Sequence, residues 1–168
     1  DQDGCRAGVR AIRDQIAAGD VYQVNLTRRL SAPLPLAPEH RSNDIAALGA
    51  ALAIGNPAPF SAVVRLPSLG LAVASASPEL FLSRRGSTVR SSPIKGTAAT
   101  RDGFLAKDRA ENIMIVDLVR NDLGRVCEWG SVHVPSLLSV EEHPGLFHLV
   151  STVEGRLRPD QGWAQVID

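Results

Sequence analysis

One lysine near the middle of the chain has the surroundings of a nucleophile. Lys95 lies in the segment 91–97, which reads Ser-Ser-Pro-Ile-Lys-Gly-Thr. The proline fixes the backbone where the segment begins, and Gly96 allows backbone and ligand to approach closely. A partly desolvated lysine in such a loop loses its proton readily enough to attack carbon. The same spacing is also that of a surface lysine in a turn, so its role depends on its neighbours.

Three carboxylates could complete a site around this lysine. Glu79 follows a proline at the start of a predicted strand, where it could act as a general acid or base. Asp108 and Glu111 lie three residues apart and hence on one face of a predicted helix. Such a pair suits Mg²⁺, which binds through few carboxylates and keeps several waters. A strand-edge glutamate and a solvated acidic helix N-terminus are the ordinary interpretations, and the residues alone leave both open.

The histidines do not indicate a metal centre. His148 lies in the apolar stretch 146–150, where a histidine is more often a core residue than a catalyst. His40, His133 and His143 show no zinc-ligand spacing with it. The sequence also contains no phosphate-binding P-loop, nucleophile elbow or dinucleotide fingerprint.

The composition excludes several classes of partner. The chain has 168 residues, enough for one substantial core, and it is 44% hydrophobic and 21% charged. Lys+Arg and Asp+Glu each number 18, so there is no basic footprint for nucleic acid and no polybasic membrane anchor. Cys5 and Cys127 favour reduced thiols in a cytoplasmic protein, with a single disulfide as the alternative. The apolar run 45–54 is too short to span a bilayer, and no signal peptide precedes the first helix.

Hydrophobic periodicity and turn residues predict the elements that position these groups. Helices are predicted at 7–18, 44–54 and 108–123, with Gly19 and Gly124 at two of their ends and Ser42 or Asn43 as the cap of the second. Strands are predicted at 21–27, 60–66, 71–75, 80–83, 131–134 and 146–153, and residues 84–86 form a predicted hairpin tip before the lysine loop. Closely grouped strands with helices at intervals predict an α+β fold with mainly antiparallel sheets.

Five segments, in order along the chain, resemble the chorismate-utilising enzymes. This family includes the component I subunits of anthranilate and aminodeoxychorismate synthase, and the isochorismate and salicylate synthases. The matching segments are Gly-Asp-Val-Tyr-Gln-Val-Asn-Leu at 19–26, Ser-Pro-Glu-Leu-Phe at 77–81, Pro-Ile-Lys-Gly-Thr at 93–97, the stretch 110–125 with its Glu-Asn-Ile-Met-Ile-Val-Asp-Leu core, and His-Leu-Val-Ser at 148–151. The resemblance implies the family's fold of antiparallel sheets with flanking helices, present as one partial chorismate-binding domain over 1–168.

Two positions distinguish branches of the family. Anthranilate synthases usually carry alanine where Lys95 stands, and the Pro-Ile-Lys-Gly-Thr form is similar to aminodeoxychorismate synthase component I, which leads to 4-aminobenzoate and folate. Isochorismate and salicylate synthases use a lysine as water-activating base at the position we align with Gln23. A neutral amide cannot be that base, so the resemblance disfavours attack by water. Anthranilate synthase component I and a non-catalytic module of the same fold remain alternatives.

The resemblance also implies roles for the site residues. Lys95 would attack C2 of chorismate, Glu79 would transfer protons, and ammonia from a partner glutamine amidotransferase would then add at C4. Glu111 would bind Mg²⁺. Asp108 is a weaker candidate, which would support the metal site without binding the ion directly. The residues implied to line the substrate pocket are Gly96, Thr97 and His148.

Two further expectations come from the same resemblance. Segment 56–61 resembles the border of the family's tryptophan pocket, which makes Pro59, Phe60 and Ser61 candidate lining residues; that pocket is regulatory in anthranilate synthases and structural in the aminodeoxychorismate enzymes. The family's later motifs, a Gly-Ala-Pro-Lys stretch and a second metal-binding glutamate, do not follow Val153. We therefore expect that this chain alone does not turn over chorismate.

Overall fold

The computed structural model describes residues 2–32 and 45–167. Contacts divide the chain into two compact units, Asp1–His40 and Arg41–Asp168. The predicted helix caps Ser42 and Asn43 lie outside the described residues. No helix in the described ranges has the length and apolar character needed to cross a membrane.

The described part of the first unit is one helix followed by an irregular segment. Helix α1, Gln2–Ala18, starts five residues before the predicted one and ends at Gly19, whose φ of 82° is left-handed. The strand predicted at 21–27 is wrong, because residues 21–32 form no strand. The β-branched and aromatic residues there favour an extended chain, but a strand also needs a neighbour to complete its hydrogen bonds. No described strand pairs with this segment.

The second unit begins with a helix packed on a two-stranded sheet. Helix α2 is Ile45–Gly55, strand β1 is Phe60–Leu66 and strand β2 is Leu71–Ser77. The two strands are antiparallel, with Phe60 opposite Ser77 and Leu66 opposite Leu71. A Cβ at Gly49 would collide with the side chain of Val63, so the glycine lets α2 approach β1 closely.

The larger sheet is organised around one strand that pairs with three of the others. Strands β3 (Leu80–Arg85), β4 (Thr88–Ser92), β5 (Ile94–Ala98), β6 (His133–His143) and β7 (Leu146–Arg156) form this sheet in the order β3-β4-β7-β5, with β6 also paired to β7. Every pairing is antiparallel. The predicted hairpin tip is confirmed, since Gly86 turns the chain between β3 and β4 with a φ of 63°. Strand β7 has β4 and β5 along one edge and β6 along the other.

A long helix covers this sheet. Helix α3, Ala106–Val126, contains the predicted helix but does not end at Gly124, because Val126 still packs against the core and the Cys127 amide donates to the Leu123 carbonyl at 2.9 Å. The core residues are Val89, Val116, Leu123, Cys127, Val153 and Leu157. Ile113 and Leu118 of the same helix, although apolar, are 50% and 37% exposed.

The α+β fold with mainly antiparallel sheets is confirmed. Strand β6 is longer than the predicted 131–134, and Pro135 falls within an irregularity of its pairing between His133 and Ser136. An edge strand tolerates such a proline because its other side needs no ladder bond. A short helix α4, Trp163–Ile167, ends the described chain. Both cysteines are free thiols.

Candidate active site

Lys95 lies in a strand and not in a loop. Its strand β5 pairs with β7 through Ile94 opposite Val150 and Thr97 opposite His148, and the register is irregular between these two pairs. Lys95 and Gly96 occupy the irregularity, where Gly96 has a φ of 103°. Proline and glycine are typical of loops. Here Pro93 precedes a β-bulge and Gly96 lies within it, and such a bulge changes the direction in which a side chain projects. Lys95 is half-buried, and its side chain makes no hydrogen bond or ion pair with the described residues.

Gly96 is required for two independent reasons. Its φ belongs to the region that side chains rarely adopt, and a Cβ there would lie 3.0 Å from the Cβ of Asp108 and 3.3 Å from Cδ1 of Phe104. We predict that Gly96→Ala lowers the free energy of unfolding by about 1–3 kcal/mol. Urea titration measures this change. Gly124→Ala is the matched control, since Gly124 is helical with open space around it and alanine there should be neutral or stabilising by up to about 1 kcal/mol. Equal effects of the two substitutions would contradict the prediction.

Glu79 is held beside the lysine strand. It follows β2 in a turn in which the Ser77 hydroxyl donates to the Glu79 carbonyl at 3.0 Å and accepts from the Glu79 amide at 3.3 Å. Its Oε1 accepts a hydrogen bond from the Ile94 amide at 2.7 Å. The fold therefore places this carboxylate against the residue that precedes Lys95.

Thr97 and His148 form a cross-strand pair next to the bulge. The Thr97 hydroxyl lies 3.0 Å from Nδ1 of His148. Burial lowers the pKa of His148 from its ordinary value, and the nearby His143 lowers it further, while the Gly96 backbone, Glu141 and Glu79 oppose the shift. The imidazole is therefore mainly neutral at pH 7.

The two acidic residues of α3 have different surroundings. Asp108 Oδ2 accepts a hydrogen bond from the Leu105 amide at 2.8 Å, so Asp108 caps the start of α3. Glu111 is exposed and makes no hydrogen bond or ion pair with the described residues. No group of three or more histidine, cysteine, aspartate or glutamate residues in the described ranges could hold a metal ion. Of these two acidic residues, Glu111 is the one whose carboxylate makes no hydrogen bond with the described residues.

A buried amide that the sequence analysis did not single out joins α3 to the sheet. Asn112 has no exposed surface. Its Nδ2 donates to the Leu149 carbonyl at 3.0 Å, and its Oδ1 accepts from the Ser151 hydroxyl at 2.5 Å. The Ser151 oxygen in turn accepts from the amide of Leu138, whose φ of 55° is the one positive value among described residues other than glycine. The sequence does contain a sign of this burial, because Asn112 is three and four residues before the apolar residues Ile115 and Val116 and therefore shares their helix face.

The remaining candidates are on other elements of the fold. Pro59, Phe60 and Ser61 lie exposed at the start of β1, on the smaller sheet, and the Ser61 hydroxyl donates to the Ala58 carbonyl at 2.8 Å. Gln23 lies in the irregular segment of the first unit. A cavity of about 510 Å³ lies between α3, α4 and the β3–β4 hairpin, and none of the residues around Lys95 lines it.

Known proteins are similar to this chain over most of its length. The family model for chorismate binding enzymes matches residues 1–168. Aminodeoxychorismate synthase component 1 of Klebsiella aerogenes is 46% identical over 160 residues, covering 88% of this chain and 34% of the relative. Anthranilate synthase component 1 1 of Haloarcula marismortui is 40% identical over 162 residues, covering 89% and 31%.

A solved structure is also similar to this chain. Anthranilate synthase component I from Streptococcus pneumoniae superimposes with a TM-score of 0.58 at 32% identity, covering 70% of this chain and 27% of that one. The chain thus spans about a third of the length of the curated relatives that it matches. It belongs to the family of chorismate binding enzymes.

Proposed function

We propose that the protein containing this chain is an aminodeoxychorismate synthase component I, which converts chorismate and ammonia to 4-amino-4-deoxychorismate for 4-aminobenzoate and folate synthesis. The observation that carries this proposal is the placement of Lys95 at the bulge of β5, between the Glu79 carboxylate and the Thr97–His148 pair. A side chain amine there can form a bond to substrate that an alanine cannot. The 46% identity to the Klebsiella enzyme supports the same assignment.

The first half-reaction would use Lys95 as the nucleophile. Its neutral Nζ forms a bond to C2 of chorismate, the two ring double bonds shift, and the C4–O bond breaks. The amine gives up one proton and the departing hydroxyl takes one, so the group lost is water. Glu79 is suited to carry this proton because its carboxylate is fixed one residue from Lys95 in the strand.

The second half-reaction would release the lysine. Ammonia forms a bond to C4, the double bonds shift back, and the C2–N bond breaks with return of a proton to Lys95. The net change is chorismate plus ammonia to 4-amino-4-deoxychorismate plus water. Covalent catalysis divides one difficult substitution into two easier ones. The ammonia is proposed to come from glutamine through a partner amidotransferase.

The other residues would hold the substrate. Thr97 and the neutral imidazole of His148 present hydrogen-bonding groups beside the bulge, and Gly96 allows the ring to approach the backbone. Glu111 would provide one carboxylate to Mg²⁺, which suits an ion that takes few protein ligands and fills its shell with water and substrate oxygens. When bound, the ion would neutralise the ring carboxylate of chorismate.

Anthranilate synthase component I is the second candidate. The 40% identity to the Haloarcula enzyme and the similarity to the Streptococcus structure favour it. That reaction would place the amino group at C2 and would not need a covalent lysine.

Product identification separates the candidates. The whole protein in which this sequence occurs is incubated with chorismate, Mg²⁺ and an ammonium salt, and the products are resolved by liquid chromatography and mass spectrometry. We expect 4-amino-4-deoxychorismate. Anthranilate as the main product would favour the second candidate, and binding of chorismate without turnover would indicate a non-catalytic module.

A further inference from the structure

Three strands carry a row of polar side chains across one face of the larger sheet. Thr97 on β5 is opposite His148 on β7, and Glu141 on β6 is opposite His148 from the other side. Directly opposed residues project from the same face of a sheet, and so do residues two apart in a strand. His143, two residues after Glu141, therefore shares this face with the other three.

Contacts within the row converge on His148. The ring centroids of His143 and His148 are 4.7 Å apart at an interplanar angle of 66°, an edge-to-face arrangement. Nε2 of His143 lies 3.8 Å from Oε2 of Glu141, and the two side chains are 16% and 53% exposed. The imidazole of His148 is thus held by the Thr97 hydroxyl at Nδ1 and by the His143 ring beside it.

We propose that His143, together with Glu141, is a positioning residue that fixes the ring orientation and proton arrangement of His148 in the substrate site. The proposal rests on the proposed function for the identity of the substrate, whereas the contact itself does not depend on it. An aromatic ring packed against the His148 imidazole restricts the rotation of that imidazole. Less side-chain conformational entropy is then lost when substrate binds. Glu141, close to Nε2 of His143, orients that ring from the solvent side.

The charges around His148 act in opposite directions. His143 lowers the pKa of His148, and Glu141 from the same strand raises it, as do Glu79 from the β2–β3 turn and the Gly96 backbone on β5. Removal of the His143 charge should therefore move the titration of His148 to higher pH. Removal of the Glu141 charge should move it to lower pH.

Histidine titration tests the contact independently of activity. The whole protein is labelled with isotopic histidine, the His148 ring signal is assigned by its loss in His148→Gln, and its shift is followed against pH. We expect the midpoint to rise in His143→Phe and to fall in Glu141→Gln. His133→Phe is the matched control on the same strand, because the His133 ring contacts the Ser131 carbonyl and should leave His148 unchanged.

Turnover of chorismate tests the positioning. His143→Ala should lower kcat about tenfold with little change in KM, and His143→Phe, which keeps a ring in place, should recover most of this loss. If His143→Ala fails to fold, the exposed Glu141→Gln still gives the titration result. An unchanged His148 midpoint in both His143→Phe and Glu141→Gln, or wild-type kcat in His143→Ala, would overturn the proposal. A wild-type protein without turnover would refute the proposed function, while the titration would still decide on the contact.

Discussion

Replacing Lys95 with alanine should abolish the covalent adduct that we propose the whole protein forms with chorismate. An adduct on Lys95 would add the mass of chorismate less one water, because the C4 hydroxyl would depart when the C2–N bond forms. We expect the rate of 4-amino-4-deoxychorismate formation to fall about 10³-fold or more, as when an enzyme loses its nucleophile. Intact-protein mass spectrometry after rapid acid quench measures the adduct, and product chromatography measures the rate.

The sequence offers a matched control for this experiment. Lys107 is the other lysine of the chain, exposed in the first turn of α3, and Lys107→Ala should retain both adduct and rate. Lys95→Arg keeps a positive charge but cannot become a neutral amine, so it should form no adduct either. A Lys95→Ala protein that makes product at the wild-type rate would refute the covalent mechanism. High ammonium concentration could restore part of the rate by direct attack at C4, without restoring the adduct.

Local patterns predicted most elements of the fold. Strand β1 has the predicted bounds, Phe60–Leu66, because its β-formers are bracketed by prolines. Periodicity and apolar content predict helix α3 and strand β7, although both extend three residues beyond the predicted C-terminal ends. The local sequence therefore determines that such elements form, whereas tertiary packing determines where they end.

The secondary-structure predictions are wrong where the pairing of strands determines the structure. Segment 21–27 has strand-forming residues but no described strand pairs with it, and 94–98 has loop-forming residues but pairs with β7. The site residues were chosen by resemblance, and the structure brings Glu79, Lys95, Thr97 and His148 together through β5 and its contacts. The sequence does not single out His143, which lacks zinc-ligand spacing, because only the pairing of β6 with β7 places it on the same face as His148.

Substitution of Asn112 should have the largest effect on stability among the polar residues. Asn112→Ala would remove the donor to the Leu149 carbonyl and the acceptor for the Ser151 hydroxyl in a site without solvent access. A buried polar group left unsatisfied costs about 1–3 kcal/mol, so we expect the free energy of unfolding to fall by about 3 kcal/mol. Urea titration followed by circular dichroism measures it. Asn121→Ala, on the exposed face of the same helix, should change it by less than about 0.5 kcal/mol.

Asn112→Asp gives a sharper test through its pH dependence. A carboxyl group at this position would have a pKa raised by burial, and only its protonated form could donate to the Leu149 carbonyl as the amide does. Since the folded protein would then bind the proton more tightly than the unfolded chain, stability should be greatest at acidic pH and fall as pH rises toward neutrality. The unfolding free energy of Asn112→Asp, relative to wild type, should therefore decrease between about pH 4 and pH 7, starting near the ordinary pKa of aspartate. Asn121→Asp should show no such trend, and matching pH profiles for the two variants would mean that Asn112 does not join α3 to β7 as the structure shows.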